Sequence, residues 1–228
     1  MTSYAIPLWD APTLPVANGG APFPVRRVYC VGRNYAAHAR EMGHDPDREP
    51  PFFFTKAPDA IFTGDTLPYP TQTQDVHPEC EMIVALAEGG RDIPVDAALD
   101  TVFGYGVGFD LTRRDMQAVA KELRRPWSLS KDFDAAAPCG ILHPASEVGH
   151  ISEGTLRFAV NGEVRQESNL NKMIWSVPET IAYLSGLITL LPGDVIMTGT
   201  PEGVSAVVPG DTLLGHVDGL TDLTIKIT

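Results

Sequence analysis

Apolar positions along this chain fall in short runs broken by Gly, Pro, Asn and Asp, the spacing of strands joined by tight turns. VYCV (28–31) reads as a buried strand. It leads into GRNYAAHAREMG, where Asn34 can cap a two-turn helix and Gly43 can close it. HDPDREPP (44–51) is a loop, and PFFFTK returns to a strand. ECEMIVALAEGG (79–90) is a strand ending in a Gly-Gly turn, and TVFGYGVGFDLT (101–112) is another, interrupted by Gly104, Gly106 and Gly108. TRRDMQAVAKELRR (112–125) has a helical charge pattern and stops before Pro126. In LRFAVNGEVRQES (156–168), Asn161-Gly162 between alternating segments predicts a hairpin. VPETIAYLSGLITL (177–190) predicts a helix with an apolar face, and GDVIMTGTPEGV and GDTLLGHVDGLTDLTIKI close the chain as strands. The pattern is strand-rich with about three helices, and fits neither a doubly wound sheet nor a sandwich.

Composition narrows this further. With 228 residues, 43% of them hydrophobic, the chain can bury one substantial core. The Pro- and Ala-rich residues 1–25 are expected to form an N-terminal extension packed on a domain spanning 26–228. A formal charge of −12 excludes nucleic acid and anionic membrane surfaces as partners, so an anionic substrate needs a local cationic cluster or a bound metal. Cys30, Cys80 and Cys139 show no CxxC spacing, which suits reduced thiols in a cytoplasmic protein. MTSYAIPLWDAP lacks the basic-then-apolar pattern of a signal peptide, and no apolar stretch is long enough to span a membrane.

Four groups of residues can carry chemistry. In HPECE (77–81), Glu79 and Glu81 share one strand face at the mouth of the apolar run MIVALA, and Asp110 ends the glycine-rich strand. If those strands are neighbours, three carboxylates converge into an all-oxygen site suited to Mg²⁺, Mn²⁺ or Ca²⁺. The glycines beside Asp110 allow close approach of another backbone or a ligand. His38 and Glu41 stand three apart on the short helix, the spacing of a general base held by a carboxylate. Arg113, Arg114 and Gln117, with Lys131 after the Pro-Trp turn, offer donors for a developing oxyanion, or a Schiff-base lysine at Lys131. Thr-Gly-Thr-Pro (198–201) offers hydroxyls and bare N–H groups for a carboxylate. Singly, each has an ordinary reading: a solvated strand end, a helix cap at Asp110, a surface ion pair, a solvated helix face. It is their co-occurrence that points to a site.

In order, VGRNYAAHAREMG, HPECEMIVAL, GYGVGFDLTRRDMQ, LSKDFD, VNGEVRQES and LPGDVIMTGTPEGV resemble the fumarylacetoacetate hydrolase family from about residue 26 to the C-terminus. The resemblance implies an α+β, β-rich fold, a mixed β-sheet roll with short peripheral helices, as a homodimer. It implies Mg²⁺ (or Mn²⁺) on Glu79, Glu81 and Asp110, and His38 with Glu41 as the dyad that activates water. It implies that Lys131, Arg114 and Gln117 meet substrate oxygens or the oxyanion, and that Thr200 contacts substrate; Arg33, Arg40 and Arg48 are each candidates for a distal carboxylate. Pro78 and Cys80 depart from the family pattern without moving a ligand, and TKAP (55–58) is looser than the usual Lys-Pro at Lys56. The implied reaction is metal-dependent C–C hydrolysis of an acylpyruvate, such as 3-fumarylpyruvate, a small anionic 2-oxo acid of gentisate-type aromatic catabolism. Oxaloacetate decarboxylation, isomerisation of an unsaturated 2-oxo acid, a metal-free Lys131 lyase and a non-catalytic binding protein are the rival readings.

Overall fold

A computed structural model describes residues 4–36 and 49–228. The longer strands are β1 (Arg27–Gly32), β2 (Phe52–Lys56), β3 (Val76–Leu86), β4 (Val102–Arg113), β5 (Thr155–Val160), β6 (Glu163–Asn169), β7 (Asp194–Met197), β8 (Thr212–Val217) and β9 (Leu223–Ile227). Helices are short: α1 (Arg114–Glu122), α2 (Ser128–Lys131), α3 (Ala145–Val148) and α4 (Val177–Leu187). A six-stranded mixed sheet runs from the bridge at His143–Pro144 through β4, β3, β7 and β1 to β2. A five-stranded sheet runs β6, β5, β8, β9 and the bridge at Thr66–Leu67. Among the described residues no helix is long and apolar enough to cross a membrane.

The six-stranded sheet is covered on both faces, which is why its strands read as unbroken apolar runs. One face of β3 and β4 (Cys80, Met82, Val84; Tyr105, Val107, Phe109) packs with β5, β8, β9 and α4 in the larger core. There Phe109 meets Phe158 of the second sheet edge-on, ring centroids 5.4 Å apart. Each such buried aromatic or aliphatic side chain contributes about 1.5–3 kcal/mol. The opposite face carries Ile83, Ala85, Val28, Cys30 and Met197, covered by Leu14, Phe23, Val25 and residues 137–142.

The glycines of β4 all lie on that second face. A Cβ at Gly104 would stand 2.2 Å from the His143 carbonyl oxygen, and one at Gly108 2.8 Å from Ile83 Cγ2. What approaches them is the 137–144 backbone and a neighbouring side chain rather than a ligand. Two strand limits also differ from expectation. β3 begins at Val76, so HPECE lies inside the strand and not at its mouth, and β4 continues past Asp110 to Arg113. The expected hairpin forms between β5 and β6, with Asn161 (φ 53) and Gly162 (φ 83) both left-handed, as a type I′ turn requires.

Candidate active site

The site grows from the β3–β4 pair. Glu79 is the direct cross-strand partner of Asp110, and Glu81 is that of Gly108. Directly opposed side chains share a face, so the alternation that sends Cys80 and Met82 into the core sends Glu79 and Glu81 to Asp110. All three carboxylates are buried, and one oxygen from each lies within 4.8 Å of the others.

Two buried ammonium groups hold this cluster. Lys131 Nζ donates to Glu79 Oε2 at 2.6 Å and to Asp110 Oδ2 at 2.8 Å. Lys56 Nζ pairs with Asp110 Oδ1 at 2.8 Å and donates to the carbonyls of Leu111 and Lys131. Lys131 reaches the cluster because α2 is turned back by the Trp127 carbonyl, which accepts from the Ser130 and Lys131 N–H groups. Arg114 Nη2 donates to Glu79 Oε1 and Nη1 to Gln117 Oε1, each at 2.7 Å. The start of α1 that aims Arg114 is fixed by its own N–H on the Asp75 carbonyl, and by Thr73 Oγ1 donating to Asp115.

Glu81 is placed differently. Its Oε2 accepts the Gly199 N–H at 2.7 Å, and no ammonium touches it among the described residues. Burial, then the Asp110 and Glu79 carboxylates, pushes its pKa well above the ordinary carboxylate range. Burial alone would lower Lys131, but Asp110 and Glu79 outweigh it and raise that pKa. Lys121 is lowered by burial and by the positive charges of Arg114 and Arg33.

The 198–201 loop closes one side. Gly199 has φ +94, and a Cβ there would stand 2.7 Å from Asn34 Cβ, so only glycine fits. Asn34 spans the gap beside it, donating to the carbonyls of Trp175 and Thr198 and accepting the Trp175 N–H. Thr200 Oγ1 donates to the Cys80 carbonyl and accepts from Gln166 Nε2, whose Oε1 accepts the Cys80 N–H.

Of the residues singled out in the sequence, Glu79, Glu81, Asp110, Arg33, Arg114, Gln117, Lys131 and Thr200 line one pocket. His38, Arg40, Glu41 and Arg48 lie outside the described residues, as does the helix that Asn34 was expected to cap. The structure adds Gln166 and Lys121, and brings in Lys56, to which the looser TKAP match gives no firm role. Lys56 carried a signal, a lone cation ending the aromatic strand FFFTK; Gln166, among the polar residues of VRQES, carried none. Beside the pocket opens a cleft of about 570 Å³ that shares Arg33, Phe54, Trp127 and Lys131 with it.

In sequence and in fold the chain is similar to known proteins. Residues 27–228 match the family model described as the fumarylacetoacetate (FAA) hydrolase C-terminal region. A fumarylpyruvate hydrolase of a Ralstonia species is 40% identical over 189 residues, covering 82% of this chain and 98% of its own. A mitochondrial oxaloacetate decarboxylase of Dictyostelium discoideum is 38% identical, covering 89% and 94%. The crystal structure of Pseudomonas aeruginosa fumarylpyruvate hydrolase, in complex with Mn²⁺ and pyruvate, superposes with a TM-score of 0.97 at 48% identity, covering 99% of each chain.

Proposed function

The chain belongs to the fumarylacetoacetate hydrolase family, and from that premise we propose that it hydrolyses the C–C bond of an acylpyruvate, 3-fumarylpyruvate plus water giving fumarate and pyruvate. The observation that carries this reading is the convergence of Glu79, Glu81 and Asp110 with Lys131, Arg114 and Gln117 around one pocket, on a fold so close to that of the pyruvate-bound Pseudomonas enzyme.

The donor set fits a hard divalent cation. It is all oxygen, its three carboxylates converge, and Glu81 is held there by a single backbone N–H without a cation of its own. Glu79, Glu81 and Asp110 would hold Mg²⁺ or Mn²⁺, which supplies Lewis-acid polarisation of a 2-oxo acid. Arg114 and Gln117, on one face of α1, bind the substrate's carboxylate and keto oxygens. Lys131 Nζ donates toward the oxyanion that develops at the distal carbonyl. Thr200, fixed through Gln166, limits how the substrate can turn. His38, steadied by Glu41, takes the proton from the attacking water, a role that rests on their spacing in sequence.

Decarboxylation of oxaloacetate is the second reading, supported by the Dictyostelium relative. Hydrolysis is preferred because attack on a ketone needs an activated water, and the HARE tetrapeptide supplies a base for it. Lys131 as a Schiff-base lysine is disfavoured, since its ammonium is locked between two carboxylates. We further assign the chain to gentisate-type aromatic catabolism, as a cytoplasmic homodimer. Residues 1–25 are read as an extension on the catalytic domain, with Leu14 and Phe23 entering its core.

The test is a diketo-acid absorbance assay on fumarylpyruvate coupled to pyruvate detection, with Mg²⁺ and with excess chelator. Turnover that needs the metal and is lost in His38→Ala supports the proposal. Oxaloacetate decarboxylation without fumarylpyruvate turnover overturns it in favour of the second reading.

A further inference from the structure

The face of α1 that carries Arg114 and Gln117 continues to Lys121, and all three line the pocket. The spacing i, i+3, i+7 places them in one row, with Lys121 about 10 Å along the helix axis from Arg114. Arg114 and Lys131 are committed to Glu79 and Asp110. Lys121 and Arg33 are not: neither has a carboxylate partner among the described residues, and each ends over an aromatic ring instead. Lys121 Nζ lies 5.3 Å from the Trp127 centroid, and the Arg33 guanidinium 5.9 Å from that of Phe52. Arg33 also has φ +61, in the left-handed region that non-glycine residues seldom adopt. Two unspent cations in a pocket already holding two others describe a place for an anion. Phe54 and Trp127, ring centroids 6.2 Å apart and planes tilted by 59°, give the same pocket an apolar side.

We propose that Lys121, held over Trp127, and Arg33 form a subsite for the second carboxylate of a dicarboxylic acylpyruvate, and so set the preference for an acyl group ending in an acid. This rests on the acylpyruvate reading above. The 2-oxo acid end lies toward Glu79 and Arg114, the enoate passes the apolar side made by Phe54 and Trp127, and the distal carboxylate meets Lys121. Lys121 is a specificity residue and takes no part in bond cleavage.

The experiment compares fumarylpyruvate with its isostere crotonylpyruvate, in which a methyl group replaces the distal carboxylate. Wild type, Lys121→Met and Lys121→Arg are assayed with saturating Mg²⁺. In Lys121→Met the ratio of kcat/KM values, fumaryl over crotonyl, is expected to fall about 10- to 100-fold through KM, and Lys121→Arg to restore most of it. An unchanged ratio in Lys121→Met overturns the subsite. If the wild type turns over neither compound, the hydrolase reading has failed, and calorimetric titration of the Mg²⁺-loaded proteins with fumarate and crotonate decides separately. A preference for fumarate that disappears in Lys121→Met then sustains the subsite, and equal binding of both acids sinks it.

Discussion

Glu79 and Asp110 face each other across the two longest strands, and a single ammonium, that of Lys131, bonds to both, at 2.6 and 2.8 Å. Lys56 grips Asp110 from its other side. The acid cluster is therefore held together by cations the chain supplies itself, and the balance between them sets what each substitution does.

Lys56→Met leaves Asp110 buried with one ammonium fewer and is expected to destabilise the metal-free protein by about 3–5 kcal/mol. Glu81→Gln acts in the opposite sense. It replaces a buried carboxyl whose ionised form no ammonium contacts, while an amide oxygen can still accept the Gly199 N–H. Metal-free Glu81→Gln should be more stable than wild type by about 1–3 kcal/mol, and should lose its Mn²⁺-induced rise in Tm. Thermal melts with chelator and with Mn²⁺ read both effects. A lower Tm for metal-free Glu81→Gln refutes this account of the cluster.

Gln166 binds the second sheet to the site: its one amide serves the Cys80 N–H, Thr200 Oγ1 and the Pro201 carbonyl. Gln166→Leu leaves these buried groups short of a partner, at a cost of about 2–4 kcal/mol. With Thr200 released, KM should rise more than kcat falls. Urea unfolding and steady-state kinetics on fumarylpyruvate check the two parts; a variant of wild-type stability would mean that Gln166 is dispensable.

The hydroxyl of Tyr35 is buried and has no hydrogen-bond partner among the described residues. Tyr35→Phe removes an unpaired polar atom and keeps the ring, so stability should hold or rise by about 1 kcal/mol. A loss of stability, read as a lower urea midpoint, counts against this.

His216 links two carboxylates on the surface, Asp222 through Nδ1 at 2.6 Å and Asp218 through Nε2 at 3.0 Å. The Asp222 hydrogen bond raises its pKa above the ordinary histidine value. A raised folded pKa gives stability that is fully present below about pH 6.5 and fades as the pH climbs through the folded value. The Tm difference between wild type and His216→Gln should thus be largest in mild acid and shrink toward alkaline pH. A difference that does not vary with pH rules this out.

What the sequence made legible was local. Asn161-Gly162 adopts its left-handed turn because two adjacent residues suffice to specify it. The paired glutamates were readable from a period of two, and the Arg114, Gln117, Lys121 row was equally present in the helical period. Features fixed by distant partners were hidden. The helix expected over 177–190 ends at Leu187 because Leu190 exchanges two backbone hydrogen bonds with Gly90. The one expected over 112–125 ends at Glu122, with Arg124 turned to φ +53. Lys56 meets a carbonyl 55 residues away, and no pattern around TKAP announces that.

The alternation of β3 and β4 ties assembly of the site to folding itself. Sliding β3 past β4 by a single residue would carry Glu79 and Glu81 into the hydrophobic layer against Phe158, away from Asp110, and turn Met82 toward the glycine side. Such a mispaired chain has no core to hold it. Every molecule stable enough to persist has therefore already gathered its three carboxylates, and the cation arrives at a finished cradle instead of building one.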